Sequence, residues 1–437
     1  MSAIAVKVKV GLVLFMAVAL GAVSSVAVAS ANSLPKKSSP LTFDVLAEFS
    51  GPNAFVGETF IYPGAAAAAE EINQHGGILG HPLNLVKTDQ GADPADTPPA
   101  VNQMLVKNPG LTAVIGIGSG VAPTVAPILN ARHIAVMSPA GSAALDFRTY
   151  PYFWRVTQPD SLSGGGWATT VYDRGYHRIA LIVDNSAGSQ SDAGPFVTTF
   201  KKLGGKILLD QTIVPDQSSY STVVAQMASL HPQALATEED PQTAATLFAN
   251  MYQLGDWNIP VINGPSNDTA QYPEAAEAAT GSWPLADKYF YEAHSAFAST
   301  PGFGALDQAF RKVFPKGVGG SRVPNPGNRI NYDGVIILAL AMTAAHSTSP
   351  SVFINYINKV TGTTGTKVTD YAQGVAALKK GEKIYYDGAE GVYSYNKFNW
   401  PSEPFTMFGI TGTQGALHPV ETISAAALSK QFIGKHK

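Results

Sequence analysis

Cysteine is absent from this 437-residue sequence, which excludes disulfides, thiolate metal sites and lipid attachment through a cysteine. Charge is sparse as well. Charged residues make up 14 % of the chain and the formal net charge is -3, with no Lys/Arg block long enough to track a phosphate backbone, so nucleic acid is not an expected partner. The 9 histidines stand singly, with no pair at the helical spacing of metal ligands, and neither a metal nor a cofactor is expected. A catalytic motif is also missing. Gly116-Ile117-Gly118-Ser119-Gly120 has no glycine two residues before the serine, as a hydrolase elbow requires, and no third glycine of a dinucleotide fingerprint. Catalysis is not expected.

What the chain does have is apolar material, 45 % of its residues, enough for two globular cores. It opens with Lys7 and Lys9, an apolar run from Val10 to Ala22, and small residues ending in Ala27-Val28-Ala29 or Ala29-Ser30-Ala31. This is the three-part pattern of a secretory signal peptide. Residues 1–31 are expected to be removed and 32–40 to form a Ser/Lys/Pro linker, leaving a periplasmic or secreted protein. A second apolar run, Val335 to Ala345, is too short to cross a hydrocarbon layer of roughly 30 Å and reads as a buried core helix.

From Leu41 onward, strand-like and helix-like runs alternate, the signature of parallel sheets covered by helices. Strands are expected at Leu41 to Ala47, Leu83 to Thr88, Ala113 to Ile117 and Ile134 to Met137, with a helix carrying Ala65, Ala68, Ala69 and Ile72 that stops at Gly76-Gly77. A second series runs through Arg178 to Asp184, Ala234 to Thr237 and Pro260 to Asn263. In such sheets ligands sit beyond the carboxyl ends of the strands. Ser119 and Ser142 both occupy such places, where each could be a helix cap or could hold an anionic group of a ligand. Glu238-Glu239-Asp240 can be read as a solvated loop before a helix opening at Pro241, or as ligand-facing.

Taken in order, Ser50-Gly51-Pro52, Gly64-Ala65, Glu71-Ile72-Asn73, Gly76-Gly77-Ile78, Gly80, Asp89 with Asp93-Pro94, Gly116 to Ser119, Met137 to Ser142, Asp184, Gly264-Pro265, Tyr332-Asp333 and Tyr386 to Gly391 resemble the leucine/isoleucine/valine-binding proteins. These are type I periplasmic binding proteins. The resemblance covers about residues 41 to 425 and implies an α/β fold of two Rossmann-like, doubly wound lobes joined by three crossovers. Lobe one would be 41–157 plus 285–390 and lobe two 158–284 plus 391–425, with a tail over 426–437. Crossovers would fall near Thr157, Trp283-Pro284 and Tyr393 to Asn399.

The same resemblance implies a monomer that closes on a small-molecule ligand and docks on an ABC permease with its ATPase subunits. The alternative is a sensing module that acts with a separate membrane receptor. By position, Ser119 and Ser142 stand for the family's carboxylate-binding hydroxyls and Ala140, beside Gly141, for its carbonyl acceptor. Phe55 would supply the apolar wall. Departures are equally plain: the family's ammonium-binding Glu is Ser266 here, and its second-lobe aromatics are missing. Either Asp268 or Glu239 takes over the ammonium, or the ligand has none.

Overall fold

The computed structural model describes residues 38–51, 54–91, 95–255, 259–265, 277–278, 289–292, 300–411 and 416–433. The chain begins with β1 (Leu41–Ala47), α1 (Tyr62–Gln74), β2 (Leu83–Asp89), α2 (Thr97–Lys107), β3 (Leu111–Gly116), α3 (Ala122–Ala131), β4 (Ala135–Ser138) and β5 (Phe153–Arg155). The five strands form one parallel sheet in the order β2-β1-β3-β4-β5. β3 lies at its centre. All of its residues are buried, as a continuous apolar run covered on both faces must be, whereas the edge strand β2 alternates in burial.

Next come α4 (Asp160–Asp173), β6 (Arg178–Asp184), α5 (Ala187–Leu203), β7 (Lys206–Ile213), α6 (Ser221–Ser229), β8 (Ala234–Glu238), α7 (Pro241–Gln253), β9 (Val261–Asn263) and β10 (Tyr289–Glu292). α5 opens on the Ser186 hydroxyl, which accepts the Ser189 N–H, and ends at Gly204 with φ +100°. The chain then returns to the first lobe through α8 (Phe303–Val313), α9 (Pro326–Ala345), β11 (Thr366–Val368), α10 (Tyr371–Lys379) and β12 (Ile384–Tyr386). It finishes in the second with β13 (Phe405–Thr411), β14 (Ala416–Ile423) and α11 (Ala425–Ile433). The second sheet has the order β14-β13-β10-β9-β8-β6-β7, antiparallel only where β13 meets β10 and β14.

Two boundaries differ from the expected ones. β10 pairs in parallel with β9, so residues 289–292 belong to the second sheet and not to lobe one. By Phe303 the chain is again in the first lobe, where α8 packs on α1; Trp283 and Pro284 lie outside the described residues, as do the expected signal peptide and Ser33 to Lys37 of the linker. The expected tail is also partly structured. α11 packs on α4, with Leu428 fully buried in the second-lobe core.

α9 is the centre of the first lobe. Asn325 caps it in a reciprocal box with Asn328, Pro326 supplies its first turn, and His346 ends it at φ +48°. Val335, Ile336, Ile337, Leu338, Leu340 and Met342 are fully buried, each worth about 1.5–3 kcal/mol relative to exposure. Among the described residues no single helix is long and apolar enough to cross a membrane.

The polar half of α9 is buried too. Asp333 accepts the Tyr386 hydroxyl at 2.6 Å, the Ala389 and Glu390 N–H groups at 2.8 Å each and the Tyr393 hydroxyl at 3.2 Å. Glu71 likewise accepts the Tyr332 hydroxyl and, at 2.8 Å, the Tyr371 N–H. These bonds give Tyr332-Asp333 and Tyr386 to Gly391 a structural reason: they fix the loop that leads into the last crossover.

Two of the crossovers run side by side. Arg155 N–H donates to the Asn399 carbonyl at 2.9 Å, and the Asn399 side chain donates back to Tyr150 and Phe153 carbonyls. Beneath them Arg155, 2 % exposed, bonds Asp146 at 2.9 Å and the carbonyls of Gly141 and Ser142 at 3.2 and 3.0 Å.

Candidate functional site

Both sheets place a topological switch point beside the first of their parallel strands. In the first, β1 leads outward to β2 on one side and β3 on the other; in the second, β6 does the same between β7 and β8. Crevices beyond the carboxyl ends of strands at such points are where open α/β sheets bind ligands. The two crevices face each other here and enclose a cleft of about 260 Å³. Typical small-molecule pockets run from ~300 to 1,000 Å³, so its occupant is small.

Each wall follows from local chain geometry. After β3 the backbone turns through Ile117 at φ +72°, an uncommon conformation for a β-branched residue, held by Ile117 N–H on the Leu46 carbonyl at 2.7 Å and by the Ser138 hydroxyl on the Ile117 carbonyl at 2.8 Å. That turn presents Gly118, Ser119 and Gly120 to the cleft. Phe55, Val56, Phe60, Ile61 and Ile330 complete an apolar first-lobe wall.

The second-lobe wall is acidic. Asp184, at the end of β6, accepts the Ser186 N–H at 2.9 Å. Asp240 caps α7 through Oδ1, which accepts the N–H groups of Gln242 and Thr243 at 2.9 and 3.0 Å. Glu239, 3 % exposed, accepts the Thr237 hydroxyl at 2.5 Å. The solvated-loop reading of Glu238-Glu239-Asp240 is therefore corrected: Glu238 and Glu239 are buried, because β8 continues to Glu238 and the turn folds inward, though Asp240 does cap the helix at Pro241.

Glu48, Asp160 and Asp192 also line the cleft and were not singled out from the sequence. The signal was there for two of them: Glu48 directly follows a strand and Asp160 opens a helix after a proline. Burial pushes the Glu48 carboxyl up to about 7 and that of Asp160 to about 6, the latter opposed by hydrogen bonds from Ser191 and Ser119 and by the charge of Arg155.

Of the residues expected from the sequence, the structure brings Phe55, Ser119 and Glu239 to the cleft. Ala140, Gly141 and Ser142 stand behind its wall. Ser119 Oγ accepts the Gly141 N–H at 3.0 Å, and Ser142 offers its carbonyl to Arg155. Neither serine hydroxyl caps a helix. A Cβ on Gly141 would lie 1.5 Å from Asp160 Oδ1, so glycine is what lets that carboxylate rest against the turn. Ser266 and Asp268 lie outside the described residues. The lobes touch at the rim, where a Cβ on Gly120 would meet the Ala187 Cβ at 2.4 Å.

Comparison with known proteins agrees with this architecture. The periplasmic binding protein family matches residues 40–404, and the chain belongs to that family. A Leu/Ile/Val-binding protein of Escherichia coli is 29 % identical over 186 residues, 42 % of this chain and 50 % of the relative. The chain thus matches about half the length of its curated relatives. Among solved structures, a branched-chain amino acid transporter substrate-binding protein of Streptococcus pneumoniae in complex with isoleucine has a TM-score of 0.68 at 19 % identity, covering 88 % of this chain and 99 % of that one. A solute-binding protein of an ABC transporter from R. palustris in complex with benzoate has a TM-score of 0.69 at 16 % identity, covering 88 % and 96 %. Both share the two-lobed type I fold. The chain is a binding protein, as its relatives are, and not an enzyme.

Proposed function

We propose that this protein is the extracytoplasmic solute-binding component of an ABC importer. It captures a branched-chain amino acid or a related small polar metabolite between its lobes and delivers it, as a monomer, to a permease driven by ATPase subunits. The observation that carries this reading is the cleft of about 260 Å³ at the facing switch points, with lining residues from both lobes. Phe55, Ser119 and Glu239 contact the solute; Ala140, Gly141 and Ser142 support the turn behind Ser119. The names of the relatives and the pattern of a secretory signal at residues 1–31 support the same reading.

Hinge closure couples capture to delivery, since a permease can distinguish the closed form from the open one. The test is small-angle scattering of the protein stripped of solute by denaturation and refolding, before and after return of the solute released in that step. A smaller radius of gyration together with a raised melting temperature is expected. An unchanged radius with bound solute overturns closure, and the absence of any bound solute overturns the reading itself.

A further inference from the structure

The cleft has two unlike faces. Its first-lobe side is largely apolar, while Glu48, Asp160, Asp184, Asp192, Glu239 and Asp240 bring six carboxylates to the remainder. No Lys, Arg or His is among the described residues that line it. Arg155, whose charge acts on Asp160, is committed to Asp146 and two carbonyls.

Acids at helix N-termini have ordinary structural work to do, and Asp184 and Asp240 do it with one oxygen each. What that work leaves over is informative. Among the described residues Asp160 Oδ2, Asp240 Oδ2 and Asn331 Oδ1 have no hydrogen-bond partner; Asp160 is 9 % and Asn331 1 % exposed, and all three residues line the cleft. The Asn331 amide is fixed in orientation, because its Nδ2 donates to the Gly327 carbonyl at 2.8 Å. These leftover atoms are all acceptors. A buried acceptor without a donor costs about 1–3 kcal/mol, and a carboxylate brought among these acids would add like-charge repulsion.

Resting on the solute-binding reading above, we infer that the solute carries a protonated amine that lies among these carboxylates, an apolar body that lies on the Phe55, Phe60 and Ile330 wall, and no carboxylate of its own. The family-based expectation of a ligand carboxylate at Ser119 and Ser142 gives way here, since the Asp160 carboxylate already rests against Gly141 and takes a hydrogen bond from Ser119. Burial holds Glu48 and Asp160 partly protonated near neutrality, and a bound cation would draw both toward the ionised form.

The test is calorimetry on the solute-free protein with matched triads: isoamylamine, isoamyl alcohol and isovalerate, then phenethylamine, phenethyl alcohol and phenylacetate, with leucine beside them. At least one amine should bind tenfold or more tightly than its alcohol, with no heat from the acids or leucine. Asp240→Asn keeps the Oδ1 cap and Glu239→Gln keeps the acceptor for Thr237. Each should weaken the amine tenfold or more and change the alcohol less than twofold.

Equal losses for amine and alcohol would make these acids structural and overturn the inference. So would an acid or leucine that binds as tightly as the amine, which leaves the importer reading standing. Mass spectrometry of the solute released on denaturation decides a silent panel: an amine without a carboxylate supports the inference, and any other solute overturns it. If no solute is recovered and nothing in the panel binds, solute binding itself fails.

Discussion

The sharpest consequence of the contact between the lobes lies at Gly120. Its φ is outside the left-handed region, so alanine fits the backbone there, and among the described residues the only obstacle is across the cleft. An added methyl would sit 2.4 Å from the Ala187 Cβ, at the first residue of α5, whereas ordinary carbon contact begins near ~3.5 Å. The lobes must therefore part by about 1 Å at this rim, or the turn must deform. Overpacking of this kind costs ~1–3 kcal/mol, which acts on the closed state alone because opening removes the clash. Gly120→Ala should accordingly weaken solute affinity by about 5- to 150-fold, while the melting temperature of the solute-free protein stays unchanged. Calorimetry with the recovered solute measures the first effect and thermal unfolding the second. The reciprocal change supplies the control: Ala187→Gly removes the opposing methyl, so the double variant should recover most of the affinity, with a coupling equal to the loss. Wild-type affinity in Gly120→Ala, or no recovery in the double variant, refutes the argument that this contact is part of closure.

Other perturbations follow from the buried polar groups. Arg155→Met leaves Asp146 buried without its ion pair and should destabilise the protein by about 3–5 kcal/mol in urea unfolding; an unchanged midpoint would contradict the role given to that pair. Asp44, fully buried on β1, has its pKa raised by burial from 3.8 to about 6 despite the hydrogen bond from Thr88. Between those values the folded state holds a proton that the unfolded state has lost, so its contribution falls as pH rises and levels off above about 6. Asp44→Asn, which mimics the protonated form, should match wild type near pH 4 and exceed it by about 3 kcal/mol at pH 7.5. A gap that does not widen between these pH values argues against a protonated Asp44.

Much of the scaffold was legible because its signals are local. The strand Arg178 to Asp184 stands where alternation with helices puts it, the helix with Ala65, Ala68, Ala69 and Ile72 is α1, and the run from Val335 forms the end of α9. β10 was missed because its place depends on pairing with β9, which lies 26 residues earlier at Asn263 and leaves no periodic trace in a short Tyr-rich segment. The site was legible only in part, for the same reason. Ser119 and Phe55 follow from strand ends and family order. The convergence of Asp160, Asp184, Asp192 and Asp240 does not, since each acid reads locally as a cap or a surface charge. Only the facing of two sheets turns them into one wall.

The buried polar half of α9 also matters before the chain is folded. A protein sent through a membrane as an extended polypeptide must not leave behind a segment greasy enough to stay there, and a spanning helix needs about 20 apolar residues. α9 has 20 residues, but Arg329, Asn331 and Asp333 interrupt its first half, and Arg or Asp near the middle of a span raises the cost of lateral insertion by ~2.5–3.5 kcal/mol each. Asp333 costs something in the finished protein, where burial lifts its pKa to about 6. In the export proposed above, the same carboxylate would shorten the apolar stretch to Gly334–Ala345, too short for a span.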